Sequence, residues 1–151
     1  MRVLCQMILA AVILAALIPS PARADIGVGI IAGEPSGFAF KWWADDSTAV
    51  DAVIGWSLSD GDFYAHGDYL WHRVVEDLEI GGSVPLYYGI GARLLLREDD
   101  DSKIGVRIPI GLDFLIDNGR FDIFVEIAPV FNVMPDTDFD LSAGVGARFY
   151  F

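Results

Sequence analysis

Charged side chains recur along the chain at alternate positions, with apolar residues between them. The residues predicted to share the polar face of this alternation are Lys41, Asp51, His66, Asp68, Arg93, Arg107, Asp113, Asp122, Glu126 and Arg148. Both signs of charge are present, and buried charges are tolerated only where opposite charges and hydrogen bonds satisfy them. If this face is enclosed, the pattern predicts an interior network of ion pairs.

Histidine and serine do not fall in a pattern typical of a hydrolase. Such an enzyme needs a serine positioned beside a histidine. His66 and His72 share the polar face, but neither has a serine two or three residues away, and no histidine is placed beside Ser57 or Ser59. We therefore predict no catalytic, cofactor-binding or metal-binding residue and no cofactor. A lipid-modifying enzyme stays open as an alternative without an assigned nucleophile.

Two acidic clusters offer the hard oxygen ligands that divalent cations prefer. One is Glu98-Asp99-Asp100-Asp101, and the other is formed by Asp136, Asp138 and Asp140. Neither has the twelve-residue spacing, central glycine and terminal glutamate of an EF-hand loop. We predict solvated turn charges, with binding of Ca²⁺ or Mg²⁺ as the alternative.

The elements that would position these side chains have the period of β-strands. Between Lys103 and Phe114, one face carries Ile104, Val106, Ile108, Ile110, Leu112 and Phe114, and the other carries Gly105, Arg107, Pro109, Gly111 and Asp113. Successive side chains of a strand point to opposite sides, so one face is apolar and the other is polar or small.

Eight segments of this kind are separated by stretches rich in Gly, Pro, Asp and Asn. The predicted strands lie near 25–32, 37–44, 48–57, 62–72, 84–97, 103–114, 120–131 and 139–151. Tilted strands of about ten residues cross a bilayer, and in lipid the sheet must close so that every backbone group is paired. The predicted fold is all-β: a closed, antiparallel, up-and-down transmembrane β-barrel of eight strands.

The first 24 residues are typical of a cleaved signal peptide. Arg2 precedes an apolar run from Met7 to Leu17, and Ala22-Arg23-Ala24 supplies the small residues of a cleavage site. Removal would leave one domain, 25–151, without the only cysteine, Cys5. Eight basic and 22 acidic residues would then give a net charge of −14, which argues against nucleic acid as a partner.

Alternation alone does not decide which face is inside, since a lipocalin-like barrel or a β-sandwich would enclose the apolar face. The aromatic residues favour the membrane alternative, because an up-and-down path sorts them into two belts of the kind found at membrane interfaces. One belt contains Trp42, Tyr69, Trp71, Tyr88, Phe114, Phe121, Phe149 and Phe151, and the other contains Trp56, Phe63, Phe131 and Phe139. The glycine-rich polar face is then predicted to pack the interior.

The C-terminal residues Gly-Val-Gly-Ala-Arg-Phe-Tyr-Phe (144–151) resemble the assembly signal of bacterial outer-membrane proteins, with Phe149 and Phe151 at its outward positions. The segment 25–151 resembles the OmpA/OmpX class of small barrels. It is similar, more narrowly, to small barrels that carry the motifs at 33–37, 68–72, 86–93 and 136–141. This resemblance implies an outer-membrane location, contact with lipid and lipopolysaccharide, and recognition by the barrel assembly machinery through the last strand.

Two copies of a Gly-x-Gly-Ala-Arg motif, at 89–93 and 144–148, are predicted to place glycines inward as room for large neighbouring side chains. Eight strands enclose a space just wide enough for side chains to fill. The sequence therefore predicts a closed, charged interior and a structural or membrane-integrity role. A surface-binding module that uses acidic outer loops is the second interpretation, and a lipid-A-modifying enzyme is the third.

Overall fold

The computed structural model describes residues 25–57, 62–74, 84–98, 101–117 and 119–151. The predicted signal peptide, 1–24, lies outside the described residues. So do positions 58–61, 75–83, 99–100 and 118 of the predicted connections, including Asp99 and Asp100 of the first acidic cluster. Within the described ranges, no helix has the length and apolar character needed to cross a membrane.

The described chain is a single antiparallel sheet that closes on itself. Its segments are β1 (Ile26–Glu34), β2 (Ser36–Trp43), β3 (Thr48–Trp56), β4 (Phe63–Val74), β5 (Pro85–Leu96), β6 (Lys103–Arg107), β7 (Ile110–Ile116), β8 (Phe121–Met134) and β9 (Asp138–Tyr150). Segments β6 and β7 follow one another between β5 and β8, and β9 pairs with β1. The nine segments therefore form a ring of eight strands, which confirms the predicted fold class.

The sixth strand of the ring is interrupted, whereas the sequence predicts one continuous strand over 103–114. The break falls at Ile108 and Pro109, and proline has no N–H to donate to the ladder. Hydrogen bonds continue across the gap, because Ile108 N donates to Pro129 O at 3.0 Å and Gly89 N donates to Pro109 O at 3.0 Å. The ring therefore stays closed at the break.

The polar face of the strands is the inner face. On β6 and β7, Arg107 and Asp113 have no exposed surface, whereas their apolar neighbours Ile104, Val106 and Ile110 are 40–43% exposed. The same alternation runs along β8, in which buried and exposed residues follow one another over most of the strand. The apolar side chains therefore cover the outside of the barrel, as the membrane interpretation requires.

Inward glycines create the space that the larger interior side chains occupy. A Cβ atom on Gly111 would overlap the Tyr87 ring, and one on Gly146 would overlap the Phe124 ring. Each glycine lies on a strand next to the aromatic residue that fills its space. The steric role predicted for glycines of the inner face is thus confirmed at these positions.

Candidate functional site in the barrel interior

All ten residues predicted for the polar row lie on the inner face, and none has more than 8% of its surface exposed. Their contacts form three groups along the barrel. We call the end where β1 begins and β9 finishes the terminal end, and the opposite end the far end. One group lies toward the terminal end around Asp113, one at the waist around Arg107, and one at the far end around Arg93.

Asp113 is the centre of the group toward the terminal end. Its Oδ2 accepts a hydrogen bond from Lys41 Nζ and lies 3.1 Å from His72 Nε2. Its Oδ1 accepts from Arg148 Nη2 at 3.0 Å. Because Lys41 Nζ is also 2.7 Å from His72 Nε2, the four side chains share a continuous set of contacts.

Arg148 extends this group to a second carboxylate. Its Nε lies 3.1 Å from both oxygens of Asp122, and Tyr150 Oη donates to Asp122 at 2.6 Å. The guanidinium also lies 3.9 Å from the centre of the Phe124 ring, a cation–π distance. Arg148 is therefore held by charge on one side and by an aromatic face on another.

Arg107 connects three strands at the waist. Its Nε donates to Asp68 Oδ2 at 2.8 Å, its Nη1 donates to Tyr64 Oη at 3.1 Å, and its Nη2 donates to Glu126 Oε1. Tyr87 Oη donates to the other oxygen of Glu126 at 2.8 Å. These contacts fill the cross-section with paired groups.

The far-end group joins Arg93 to the second acidic cluster. Arg93 Nη2 donates to Asn132 Oδ1 at 2.5 Å and to Asp140 Oδ2 at 2.7 Å. Asn132 Nδ2 lies 2.5 Å from Asp138 Oδ1, and Lys103 Nζ lies 3.0 Å from Asp138 Oδ2. Asp138 and Asp140 are therefore paired with cations, rather than the purely solvated turn charges that the sequence suggested.

A cavity of about 240 Å³ opens beside this far-end group. Arg93, Tyr64 and Ser142 are among its lining residues. Since Tyr64 also contacts Arg107, the floor of the cavity reaches the waist network.

Two of the predicted interior residues, Asp51 and His66, are less completely paired. Asp51 Oδ2 is 3.9 Å from Arg148 Nη1, beyond hydrogen-bonding distance. His66 Nδ1 is 3.2 Å from Tyr64 Oη, but its Nε2 is 3.6 Å from Asp68 Oδ2 and has no hydrogen-bond partner. The structure thus brings these two residues next to Asp68 without satisfying all their polar atoms.

The interior network predicted from the sequence omits three buried tyrosines that complete it. Tyr64, Tyr87 and Tyr150 are each at most 2% exposed, and each hydroxyl contacts a charged interior residue. Their positions carry a usable signal, because Tyr64 lies two residues before His66 and Tyr150 two residues after Arg148. Side chains two apart on a strand share a face.

The aromatic residues predicted as a girdle lie on the outer face. Trp42, Trp56, Tyr69, Trp71, Tyr88, Phe121 and Phe149 are all exposed, and Phe114 is half-buried. They contact one another across strands: Trp71 stacks on Tyr88 with ring centres 6.0 Å apart, and Phe121 lies 5.0 Å from Phe149. Phe151 follows at 6.0 Å from Phe149.

A carboxylate outside the strands organises the turn between β2 and β3. Asp45 accepts hydrogen bonds from Thr48 Oγ1 at 2.7 Å, Ser47 N at 2.7 Å and Thr48 N at 2.8 Å. The side-chain bond from Thr48, followed by the backbone donors, holds the pKa of Asp45 below its usual value because these donors favour the ionised form.

Comparison with solved structures identifies the architecture. The N-terminal β-barrel domain of Pseudomonas aeruginosa OprF is similar with a TM-score of 0.53 and 13% identity, covering 85% of this chain and 96% of that one. The fold is that of a small outer-membrane β-barrel. Acinetobacter baumannii CarO2 matches at a TM-score of 0.46 and 13% identity, covering 85% of this chain and 99% of that one. No protein-family model and no curated protein matches the sequence of this outer-membrane-type barrel.

Proposed function

We propose that the chain is an integral protein of the bacterial outer membrane with a barrel closed by its own side chains, and that its role is structural, in membrane integrity. The observation that carries this proposal is the burial of the interior charges. Lys41, Arg107, Asp113 and Asp122 have at most 1% of their surface exposed, so water does not reach them. An open pore would leave such side chains hydrated.

The outer surface supports residence in lipid. Ile30, Ile54, Ile90 and Ile127 are 44–62% exposed on the outer face, whereas charged side chains of the strands cluster inside or near the rims. Exposure of this much apolar surface to water would be strongly unfavourable, whereas lipid chains solvate the same surface. The exposed aromatic rings at both rims suit the interface with lipid headgroups and lipopolysaccharide.

The last strand supports delivery to that membrane by the barrel assembly machinery. Phe149 is exposed on the outer face of β9, and Phe151 is half-buried beside it. Because β9 pairs with β1 to close the ring, the segment that the machinery would recognise is also the segment that completes the barrel.

Conductance tests the closed interior. The protein is purified from outer membranes, shown to be folded by its faster migration before boiling, and inserted into planar bilayers beside an open porin as positive control. We expect no stepwise current above the bare bilayer, since the waist is filled by paired side chains. Reproducible single-channel steps from the folded protein would contradict the closed interior.

A deletion strain tests the integrity role separately. Uptake of a hydrophobic dye that intact outer membranes exclude is expected to rise in the deletion and to return when the full chain is restored. Complementation by a variant lacking β9 serves as the matched control and is expected to fail. Equal dye uptake with and without the gene would refute the integrity role while leaving the barrel itself untouched.

A further inference from the structure

Three buried side chains whose polar atoms are not all hydrogen-bonded lie close together on the inner face of β3 and β4. Asp51 and Asp68 are direct partners in the ladder between these strands, and His66 lies two residues from Asp68 on the same face. One donor atom from each of the three lies within 4.8 Å of the others, and all three residues are buried. Adjacent strands hold them, so their backbone positions are rigidly related.

Polar atoms of this triad lack hydrogen-bond partners. They are Asp51 Oδ1, His66 Nε2 and Asp68 Oδ1, and the side chains of all three residues are at least 95% buried. A buried polar atom without a partner loses its hydration without compensation, which is unfavourable. Each of the three side chains offers a donor atom within 4.8 Å of the other two, and each has a polar atom without a partner. Two carboxylates and an imidazole grouped in this way indicate a missing ligand that accepts electron pairs.

The buried carboxylates around the triad also outnumber the buried cations. Toward the terminal end and at the waist, the buried carboxylates are Asp51, Asp68, Asp113, Asp122 and Glu126, and the buried cations are Lys41, Arg107 and Arg148. The fourth buried cation, Arg93, is the ladder partner of His66 and also hydrogen-bonds to Asn132 and Asp140. Five buried carboxylates therefore share four buried cations, one of which also pairs with Asp140, and a bound cation would neutralise the remaining carboxylate charge.

From this convergence we propose that Asp51, His66 and Asp68 form a binding site for a divalent transition-metal ion of the zinc class. One imidazole nitrogen and two carboxylate oxygens are a donor set that Zn²⁺ uses, whereas Ca²⁺ and Mg²⁺ take oxygen ligands. Tetrahedral zinc places its ligands roughly 3.3 Å apart at bonds of about 2.0–2.1 Å. Metal binding therefore requires side-chain rotations that shorten the separations of up to 4.8 Å between the donor atoms.

The surroundings have the features that metal sites require. Tyr64 Oη lies 3.2 Å from His66 Nδ1, so a proton on Nδ1 can be donated to Tyr64 while Nε2 keeps its lone pair. Gly91 is opposite Asp68 on β5, and a Cβ atom there would overlap Asp68 Oδ1, the unpaired oxygen. Tyr64 also lines the far-end cavity, so only this side chain separates the cavity from its contact with His66.

Zinc titration of the intact barrel tests the site. The wild-type chain is folded in detergent, stripped with a chelator, dialysed and titrated with Zn²⁺ in a calorimeter. We expect one equivalent to bind with a rise in Tm, because the ion binds the folded state only. His66→Gln is expected to abolish this binding, and Tyr64→Phe to weaken it about 10-fold or more, the usual loss for an outer-shell partner.

His72→Gln is the matched control, because His72 is the other interior histidine and contacts Asp113 instead of the triad. It is expected to bind zinc as the wild type does, with gel mobility before boiling showing that each variant is folded. Should His66→Gln fail to fold, the ¹⁵N resonance of His66 Nε2 in the wild type must shift on adding one equivalent of Zn²⁺. An unmoved resonance, binding retained by folded His66→Gln, or zinc bound only by surface acids in excess of one equivalent would overturn the proposal.

Discussion

Removal of the Arg107 side chain is expected to destabilise the barrel more than any change on its outer face. Arg107→Ala leaves Asp68 and Glu126 without their shared cation and removes the hydrogen bond that Tyr64 accepts from Arg107. Breaking a buried ion pair by removing one partner costs about 3–5 kcal/mol, because the remaining charge is left uncompensated. With two carboxylates affected, we expect a loss of about 4 kcal/mol or more in the free energy of unfolding.

The assay is urea unfolding of the barrel in lipid vesicles, followed by tryptophan fluorescence and by gel migration without boiling. The matched control is Val106→Ala, on the same segment but 40% exposed on the outer face. That substitution leaves no buried partner behind, so it should change stability by less than about 1 kcal/mol. A double variant, Arg107→Met with Glu126→Gln, should be more stable than Arg107→Ala. In the double variant Glu126 is no longer an unpaired buried charge.

Unfolding of Arg107→Ala and Val106→Ala at the same urea concentration as the wild type would show that Arg107 does not stabilise the barrel. Such a result would mean that water reaches the waist and solvates the carboxylates of Asp68 and Glu126. It would therefore also contradict the filled interior on which the closed barrel depends.

Three further predictions concern packing, the β2–β3 turn and assembly. Gly146→Val should lower the free energy of unfolding by about 1–3 kcal/mol, measured by urea unfolding, because its side chain would overlap the Phe124 ring. A carboxyl ¹³C NMR titration should give Asp45 a pKa below the 3.8 of an unperturbed aspartate, since Thr48 donates to the ionised form. Its folded-state pKa is lowered, so its contribution to stability is present above pH 3.8 and is lost as pH falls through the lowered pKa; Thr48→Val should move the titration back toward 3.8. Deletion of Phe151 should reduce the amount of folded barrel in isolated outer membranes, and an unchanged amount would contradict its role in assembly.

The period of two in the sequence predicted the ring of strands, and the aromatic belts together with the glycine-rich polar face predicted which face lies inside. Buried Arg107 lies between exposed Val106 and Ile108 as the pattern requires, because a strand turns each successive side chain to the opposite face. The break at Pro109 is the exception. The alternation continues through it, so periodicity alone did not reveal that the ladder is interrupted there.

The sequence did not predict which interior side chains contact one another. Arg93 contacts Asp140 from 47 residues away, and Lys41 contacts Asp113 from 72 residues away. Such pairs depend on the tilt of the strands and on the stagger between them, neither of which a single strand encodes. The triad of Asp51, His66 and Asp68 was missed for the same reason, because its donor atoms converge only when β3 and β4 are paired in register.

The pairing of β1 with β9 sets the order in which the molecule can become complete. The other neighbouring strands of the ring are joined by short stretches of chain, whereas Gly27 meets Tyr150 across nearly the whole folded domain. Until β9 is in place, β1 and β8 each have an edge with unpaired backbone N–H and C=O groups. A strand of a second polypeptide can pair with such an edge. A premature stop codon within β9 would therefore produce an open, self-associating sheet instead of a smaller cylinder.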